Sequence, residues 1–311
     1  MELGAHLPLV DLSGRGWSPR GLASYARTAH QLGYRALAAN DHLDFRAPWL
    51  DGLVALSSVV GDSGDLTLAT TVALPVVRGP AQLAKAAAAL DLLSGGRFVL
   101  GVGPGSSPLD HALAGLPYAE RWQRFDEAVA VLRGQLGEGW PVGRDRFYGA
   151  VASASLAPRP ARPDGPPIWI GSWGSPAGLE RVARLGDGWL ASATSTTPAQ
   201  VAAGMAWLRE AVRHHERPHH LVSCAVATMW TCVTDDERER VAQLDRLAAL
   251  LDRSADDLSH RVLVGSPARC AHVLEAYAAA GVELLFVWPL AEPERQLERV
   301  MADVVPLLSG H

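Results

Sequence analysis

Two kinds of run alternate along the chain. Short stretches are apolar almost throughout, and the longer stretches between them repeat apolar residues every three or four positions. Residues 66–75 (LTLATTVALP) show the first kind, rich in Leu, Thr, Val and Ala, and read as a strand buried on both faces, ended by Pro75. Gly79-Pro80 opens the Ala- and Leu-rich segment 81–94, which favours helix, and Gly95-Gly96 stops it. RFVLGVGPGSS (97–107) is a second apolar strand that runs into a glycine-rich loop. A strand, a helix and a strand of this length form a right-handed crossover with the two strands parallel.

The same alternation predicts strands over residues 3–9, 35–40, 167–171, 188–193, 221–233 and 282–290. Helices are expected over 18–32, 51–60, 117–135, 175–185, 198–214 and 293–308, with two or three helical pieces before Ala280, the last capped by Gly265-Ser266-Pro267. In the segment 117–135, Trp122, Phe125, Val129 and Leu132 recur at helical spacing. Residues 136–167 are rich in Gly, Pro and Arg and too long for a simple connection. They read as an insertion between the fourth helix and the fifth strand, carrying a short hairpin around Arg146-Phe147-Tyr148. Eight strands alternating with helices predict an α/β fold, a (β/α)8 TIM barrel formed as one domain over residues 1–311. An open doubly wound sheet is the competitor, but it wants a GxGxxG turn after the first strand, where this chain has VDLSGRGW.

Composition narrows the chemistry. A net charge of -5 gives no basic footprint for nucleic acid. Lys85 is the only lysine and falls in the Ala-rich helix, which argues against Schiff-base chemistry and leaves phosphate to backbone N–H groups or Arg. Cys224, Cys232 and Cys270 are sparse and odd in number, as expected of a reducing compartment. No signal-peptide pattern or membrane-length apolar run is seen, so a cytoplasmic protein is expected, acting on a small molecule, with a homodimer as the candidate assembly.

Three blocks carry a resemblance: LAKAAAALDLLSGGRFVLGVGPG, LPYAERWQRFDEAVAVLR and PPIWIGSWGSPAGLERVARLGDGWL. With them, nearly the whole chain resembles the bacterial luciferase-like superfamily, which contains FMN-dependent monooxygenases and oxidoreductases using the deazaflavin coenzyme F420. The resemblance implies a barrel and a flavin-type cofactor without specifying the reaction.

Candidate residues lie where strands end. Asp41-His42 follows the second strand, where F420-using relatives often carry an Asp-His pair that faces the deazaflavin ring, which makes Asp41 a cofactor-binding candidate too, and FMN-using ones more often Glu-His. A carboxylate beside an imidazole can orient it, making His42 a general acid or base with Asp41 in support. Thr70-Thr71-Val72 matches the superfamily strand whose bulge, often with a non-proline cis peptide, lies behind the cofactor ring; an ordinary buried strand is the competing reading. Gly103-Pro104-Gly105-Ser106 is expected to admit a ring or ribityl chain close to the backbone. F420-dependent sugar-phosphate dehydrogenases carry an acidic Glu where this chain has Ser106, which argues against that chemistry here. Gly171-Ser172-Trp173-Gly174-Ser175 leads into a helix N-terminus, an anion site that suits the phosphate of either cofactor. Trp49, Trp230 and Trp288 are candidates for the substrate pocket; the alternative is stapling the helix for Trp49 and core packing for the other two. His214, His215, His219 and His220 read as an exposed polar turn, with no metal expected. The leading expectation is an F420-dependent oxidoreductase that moves a hydride between the deazaflavin C5 and a small organic substrate. The alternatives are an FMN-dependent monooxygenase, a non-catalytic flavin-binding barrel and, disfavoured by few Glu, Asp or His at strand ends, a metal-dependent sugar isomerase.

Overall fold

The computed structural model describes residues 1–137, 146–149, 156–215 and 223–308. Strands β1 (Glu2–His6), β2 (Ala36–Ala39), β3 (Thr67–Thr70), β4 (Phe98–Val102), β5 (Ile168–Gly171), β6 (Gly188–Ser192), β7 (Ser223–Val233) and β9 (Leu284–Pro289) pair in parallel. The ring closes because β1 pairs with β9, β9 with β7 and β7 with β6, so the expected eight-stranded barrel is observed. A short strand that sequence reasoning absorbed into a helix cap, β8 (Leu263–Gly265), lies outside the ring against Thr231–Val233. Three residues are too few for an apolar run to register as a strand.

The barrel interior is lined by small residues. Ala36, Ala38, Ala69, Ala225 and Ala227 leave room for Val99, Leu190 and Phe286 to fill the centre. Phe286 needs Gly4: a Cβ there would stand 2.5 Å from its ring. The helices form the outer layer: α1 (Pro19–Gln31), α2 (Gly52–Ser58), α3 (Pro75–Arg78), α4 (Pro80–Leu93), α5 (Pro108–Leu113), α6 (Arg121–Leu136), α7 (Pro176–Leu185), α8 (Pro198–His214), α9 (Glu237–Leu251), α10 (Ala255–Ser259), α11 (Pro267–Ala279) and α12 (Pro293–Arg299). Many start alike, with Ser18, Ser107, Ser175, Thr197 and Ser266 each accepting a first-turn N–H and Pro following at the first helical position. These pairs fix where the chain turns at the carboxyl rim.

One expectation is corrected and one lies mostly outside the described residues. Arg146 and Phe147 form a bend, and the flanks of the expected hairpin are not among the described residues; Phe147 and Tyr148 give their N–H groups to the Glu127 carboxylate, at 2.8 and 2.7 Å. The closing helix ends at Arg299, widens into a π turn over Val300–Val304 and tightens to 3-10 over Val305–Leu307, because Pro306 has no N–H to continue the α ladder. The insertion is tied down at its far end, where Arg162 binds the buried Asp91 carboxylate at 2.6 Å. Among the described residues, no helix is long and apolar enough to cross a membrane.

Candidate active site

At the end of β2, Asp41 and His42 diverge. Asp41, 6% exposed, takes the Arg78 guanidinium at 2.5 and 2.7 Å and the Leu74 N–H at 3.2 Å. Arg78 also reaches Asp51, the cap of α2. Burial works against its charge, but the hydrogen bonds and charges of Asp41 and Asp51 prevail, and the guanidinium is more basic than usual. Asp41 is therefore not the carboxylate that supports the imidazole, as the adjacent pair suggested. Its two oxygens are committed to locking the β2 end onto α3.

The partner of His42 is Asp110 on α5. His42 Nδ1 lies 2.9 Å from Asp110 Oδ2, while Oδ1 accepts the N–H groups of Leu43 and Asp44, both at 3.1 Å. The imidazole is 18% exposed and the carboxylate 0%. Burial alone would raise the Asp110 pKa, but the hydrogen bonds from His42, Asp44 and Leu43 outweigh it and hold the carboxyl below its ordinary value. Asp110 was missed because the candidates were drawn from loops that directly follow strands, and it stands four residues beyond the 103–106 loop. The signal was present in Ser107-Pro108-Leu109-Asp110, a helix-start pattern with an acid in the first turn, but the direction of that acid is a tertiary fact.

On β3, Thr70 hydrogen-bonds Gly101 O at 2.7 Å and the Thr71–Val72 peptide is cis. Val72, half-buried, fills space that two glycines vacate: a Cβ on Gly103 or Gly171 would stand 2.8 or 2.9 Å from its methyls. Gly105, at φ +83°, has a comparable reason, with the His111 ring 2.9 Å from a built Cβ. These glycines thus make room for the protein's own side chains, with Val72 as an apolar platform at the rim. Ser106 is exposed and its carbonyl accepts the Tyr118 hydroxyl.

After β5, Ser172 O receives the Trp189 indole N–H at 2.9 Å, Ser172 Oγ accepts Gly174 N–H, and Ser175 caps α7 through Gly178 N–H. Gly174 takes φ +80°, a left-handed turn that aims the chain into the helix. Trp173 is 63% exposed beside it. At the end of β6, Ser192 joins the hydroxyls of Thr194 (3.0 Å) and of Thr228 (2.8 Å), which sits at the irregularity midway along β7 and holds the left-handed φ of 56°.

The three tryptophans separate. Trp49 meets His42 edge-on at 4.8 Å, with Phe45 4.6 Å from Trp49 and 5.0 Å from His42. Trp230 and Trp288, each 2% exposed, stack at 4.0 Å within a core cluster completed by Leu244, Leu247 and Leu258. Their assignment to the substrate pocket is corrected to core; only Trp49 stands beside His42. Trp288 also stacks on His6 at 3.6 Å. Of the four histidines at and beyond the end of α8, His215 pairs with Glu180 at 2.8 Å, while His219 and His220 lie outside the described residues. No cluster of His, Cys, Asp or Glu suited to a metal occurs among the described residues.

Buried polar atoms at the ends of β1, β2 and β3 are left over: His6 Nε2, Asn40 Oδ1 and Thr71 Oγ1 have no protein partner. Together with the Val72 platform and the α7 N-terminus, they give one edge that suits a flat ligand with polar margins and an anionic arm.

The model of the luciferase-like monooxygenase family matches residues 7–284. An F420-dependent hydroxymycolic acid dehydrogenase of Mycobacterium tuberculosis is 32% identical over 63% of this chain, but that match spans only 56% of its own length. An F420-dependent glucose-6-phosphate dehydrogenase of Amycolatopsis mediterranei is 26% identical over 95% of this chain and 96% of its own. Among solved structures, an F420-dependent secondary alcohol dehydrogenase with an F420-acetone adduct superposes with TM-score 0.84, at 18% identity over 99% of both chains. A monooxygenase, RslO1 of Streptomyces bottropensis, gives 0.81 at 20% identity over 98% of this chain and 99% of its own. At these identities the two structures speak for the fold.

Proposed function

The chain belongs to the luciferase-like monooxygenase family, and from that premise we propose that it is an F420-dependent oxidoreductase exchanging a hydride between the deazaflavin C5 and a small organic substrate. The observation that carries the reading is His42: an imidazole held by one nitrogen at the carboxyl rim and partly open to solvent. The F420-dependent relatives named above support the choice of cofactor.

The residues present fit such a group. Val72 offers an apolar surface for one face of the ring, and Asn40 Oδ1 and Thr71 Oγ1 are buried acceptors in want of donors. Gly171, Ser172, Trp173, Gly174 and Ser175, with the first turn of α7, would hold the phosphate through backbone N–H groups and the helix dipole. Thr70 fixes β3 behind the platform, and Gly103, Gly105 and Ser106 shape the adjoining wall. When bound, F420 supplies a carbon that accepts or returns a hydride. His42 takes the proton that a substrate hydroxyl loses as its carbon is oxidised, and returns it in the reverse direction. Trp49 and Phe45 enclose the imidazole and limit water beside it. Asp41 keeps the loop in place through Arg78 and handles no proton.

Titration with each cofactor tests the reading. Binding of F420 at micromolar or tighter affinity, with FMN bound at least about tenfold more weakly, supports it. Tight FMN binding with oxygen-dependent turnover would replace it with a monooxygenase. Tight F420 binding without turnover over a broad panel of alcohols would leave a binding protein.

A further inference from the structure

We propose that Asp110 fixes His42 as the tautomer protonated on Nδ1, so that Nε2 is the atom that takes the proton of a substrate hydroxyl. The inference deepens the reading of His42 as the proton-exchanging group and rests on it. Asp110 is a positioning residue, acting through His42 without touching substrate.

The two oxygens of Asp110 are unequally committed. Oδ1 accepts two backbone donors, Leu43 N–H and Asp44 N–H, both at 3.1 Å. Those donors belong to the turn that carries His42, so the carboxylate grips the same loop whose imidazole it orients. Only Oδ2 faces His42 Nδ1, at 2.9 Å. An ionised carboxylate accepts and cannot donate, so Nδ1 must carry the hydrogen and Nε2 must be bare. The carboxylate is 0% exposed and its pKa is held low by these same donors. Asp41, the carboxylate adjacent to His42 in sequence, is spent on Arg78 and cannot substitute.

The step then balances. The carbinol C–H bond breaks and its electron pair leaves as hydride to the deazaflavin carbon. The O–H proton moves to Nε2, the C–O bond becomes C=O, and the imidazolium faces a carboxylate that stays negative.

Asp110→Asn separates orientation from mere tethering. Its volume is nearly unchanged, and the amide oxygen stays with the two backbone donors. The NH2 group then faces Nδ1 and drives the hydrogen to Nε2, the wrong tautomer. In the full chain without cofactor, nitrogen-15 NMR of the histidines should report Nδ1–H at His42 in the wild type and Nε2–H in the variant. Turnover should fall by at least about 100-fold with KM within about threefold. An unchanged tautomer, or kcat near wild type, overturns the proposal. Should the variant fail to fold, His42→Ala decides instead: carbon-13 NMR should show the Asp110 carboxyl titrating higher than in the wild type, and no rise overturns the pairing. Both NMR readouts need no cofactor, so they stand apart from whether F420 binds.

Discussion

The ends of β1 and β2 each present a histidine, and the two differ in what surrounds the same ring. His6 donates from Nδ1 to the carbonyl of Leu7 at 2.8 Å, is fully buried and stacks on Trp288. Desolvation lowers its pKa to about 3, only partly opposed by that backbone bond. His42 makes its Nδ1 contact with a carboxylate, not a carbonyl, and keeps 18% of its side chain in contact with solvent. A neutral carbonyl in a dry place makes a histidine that stays uncharged across the physiological range. A buried carboxylate beside a partly open ring gives the other histidine an acceptor for one nitrogen and leaves its side chain in contact with water. In the reading proposed above, the partner and access to water, not residue type, decide which of the two histidines handles a proton.

The largest way to break that contrast is to loosen the β2 end itself. Arg78→Ala leaves Asp41, 5% exposed at its side chain, without a counter-charge and frees Asp51 as well. An uncompensated buried charge costs about 3–5 kcal/mol, so chemical denaturation should show a loss of that order. A loss below about 1 kcal/mol would mean that the Arg78 bridge does not hold the loop. Next comes His42→Ala, which should lower turnover about 100-fold while leaving cofactor affinity within about threefold. Unchanged turnover would remove His42 from the chemistry and make the two rim histidines equivalent bystanders.

A control lies across the rim. Gly174 sits at φ +80°, and a built Cβ meets only ordinary contacts, 3.5 Å from Trp189. Gly174→Val is therefore costly through its backbone conformation, by about 1–2 kcal/mol. Cofactor affinity should drop about tenfold by isothermal titration, with the NMR signals of His6 and His42 unmoved. Undiminished affinity would place the phosphate elsewhere.

Much of this arrangement is legible in the chain itself. The apolar runs mark each strand of the ring, because a parallel barrel buries both faces of its strands and leaves a continuous signal. The Ser-Pro and Thr-Pro pairs mark where helices begin, since their capping chemistry is local. Asp41-His42 and Ser172-Trp173-Gly174 were found as strand-end loops for the same reason. What stayed hidden depends on contacts between distant positions. Asp110 lies 68 residues from His42, and nothing in its neighbourhood says which way its side chain points. Asp41 looked like the partner because adjacency in sequence is visible, while the guanidinium 37 residues away is not. Trp230 and Trp288 were pocket candidates although aromatics on strands more often pack in the core, and α9 and α10 decide for the core by supplying the leucines that cover them.

The smallest effect concerns His6 and needs a sign. Its pKa is lowered in the fold, so the unfolded chain takes up a proton near pH 6.5 while the native ring stays neutral until about pH 3. The contribution of His6 to stability is therefore complete above about pH 6.5 and drains away as the pH falls, by at most about 1.4 kcal/mol per unit. Asp110 acts in the same direction but in a lower window: its carboxyl is depressed from the ordinary 3.8, so its share is lost only below that value. His6→Phe keeps a flat ring against Trp288 but cannot titrate. Denaturation measured between pH 6 and pH 4 should then fall less steeply than in the wild type, by close to one proton's worth of slope. Equal slopes would show that His6 is protonated in the native barrel over that range, and the contrast with His42 would lose its physical basis.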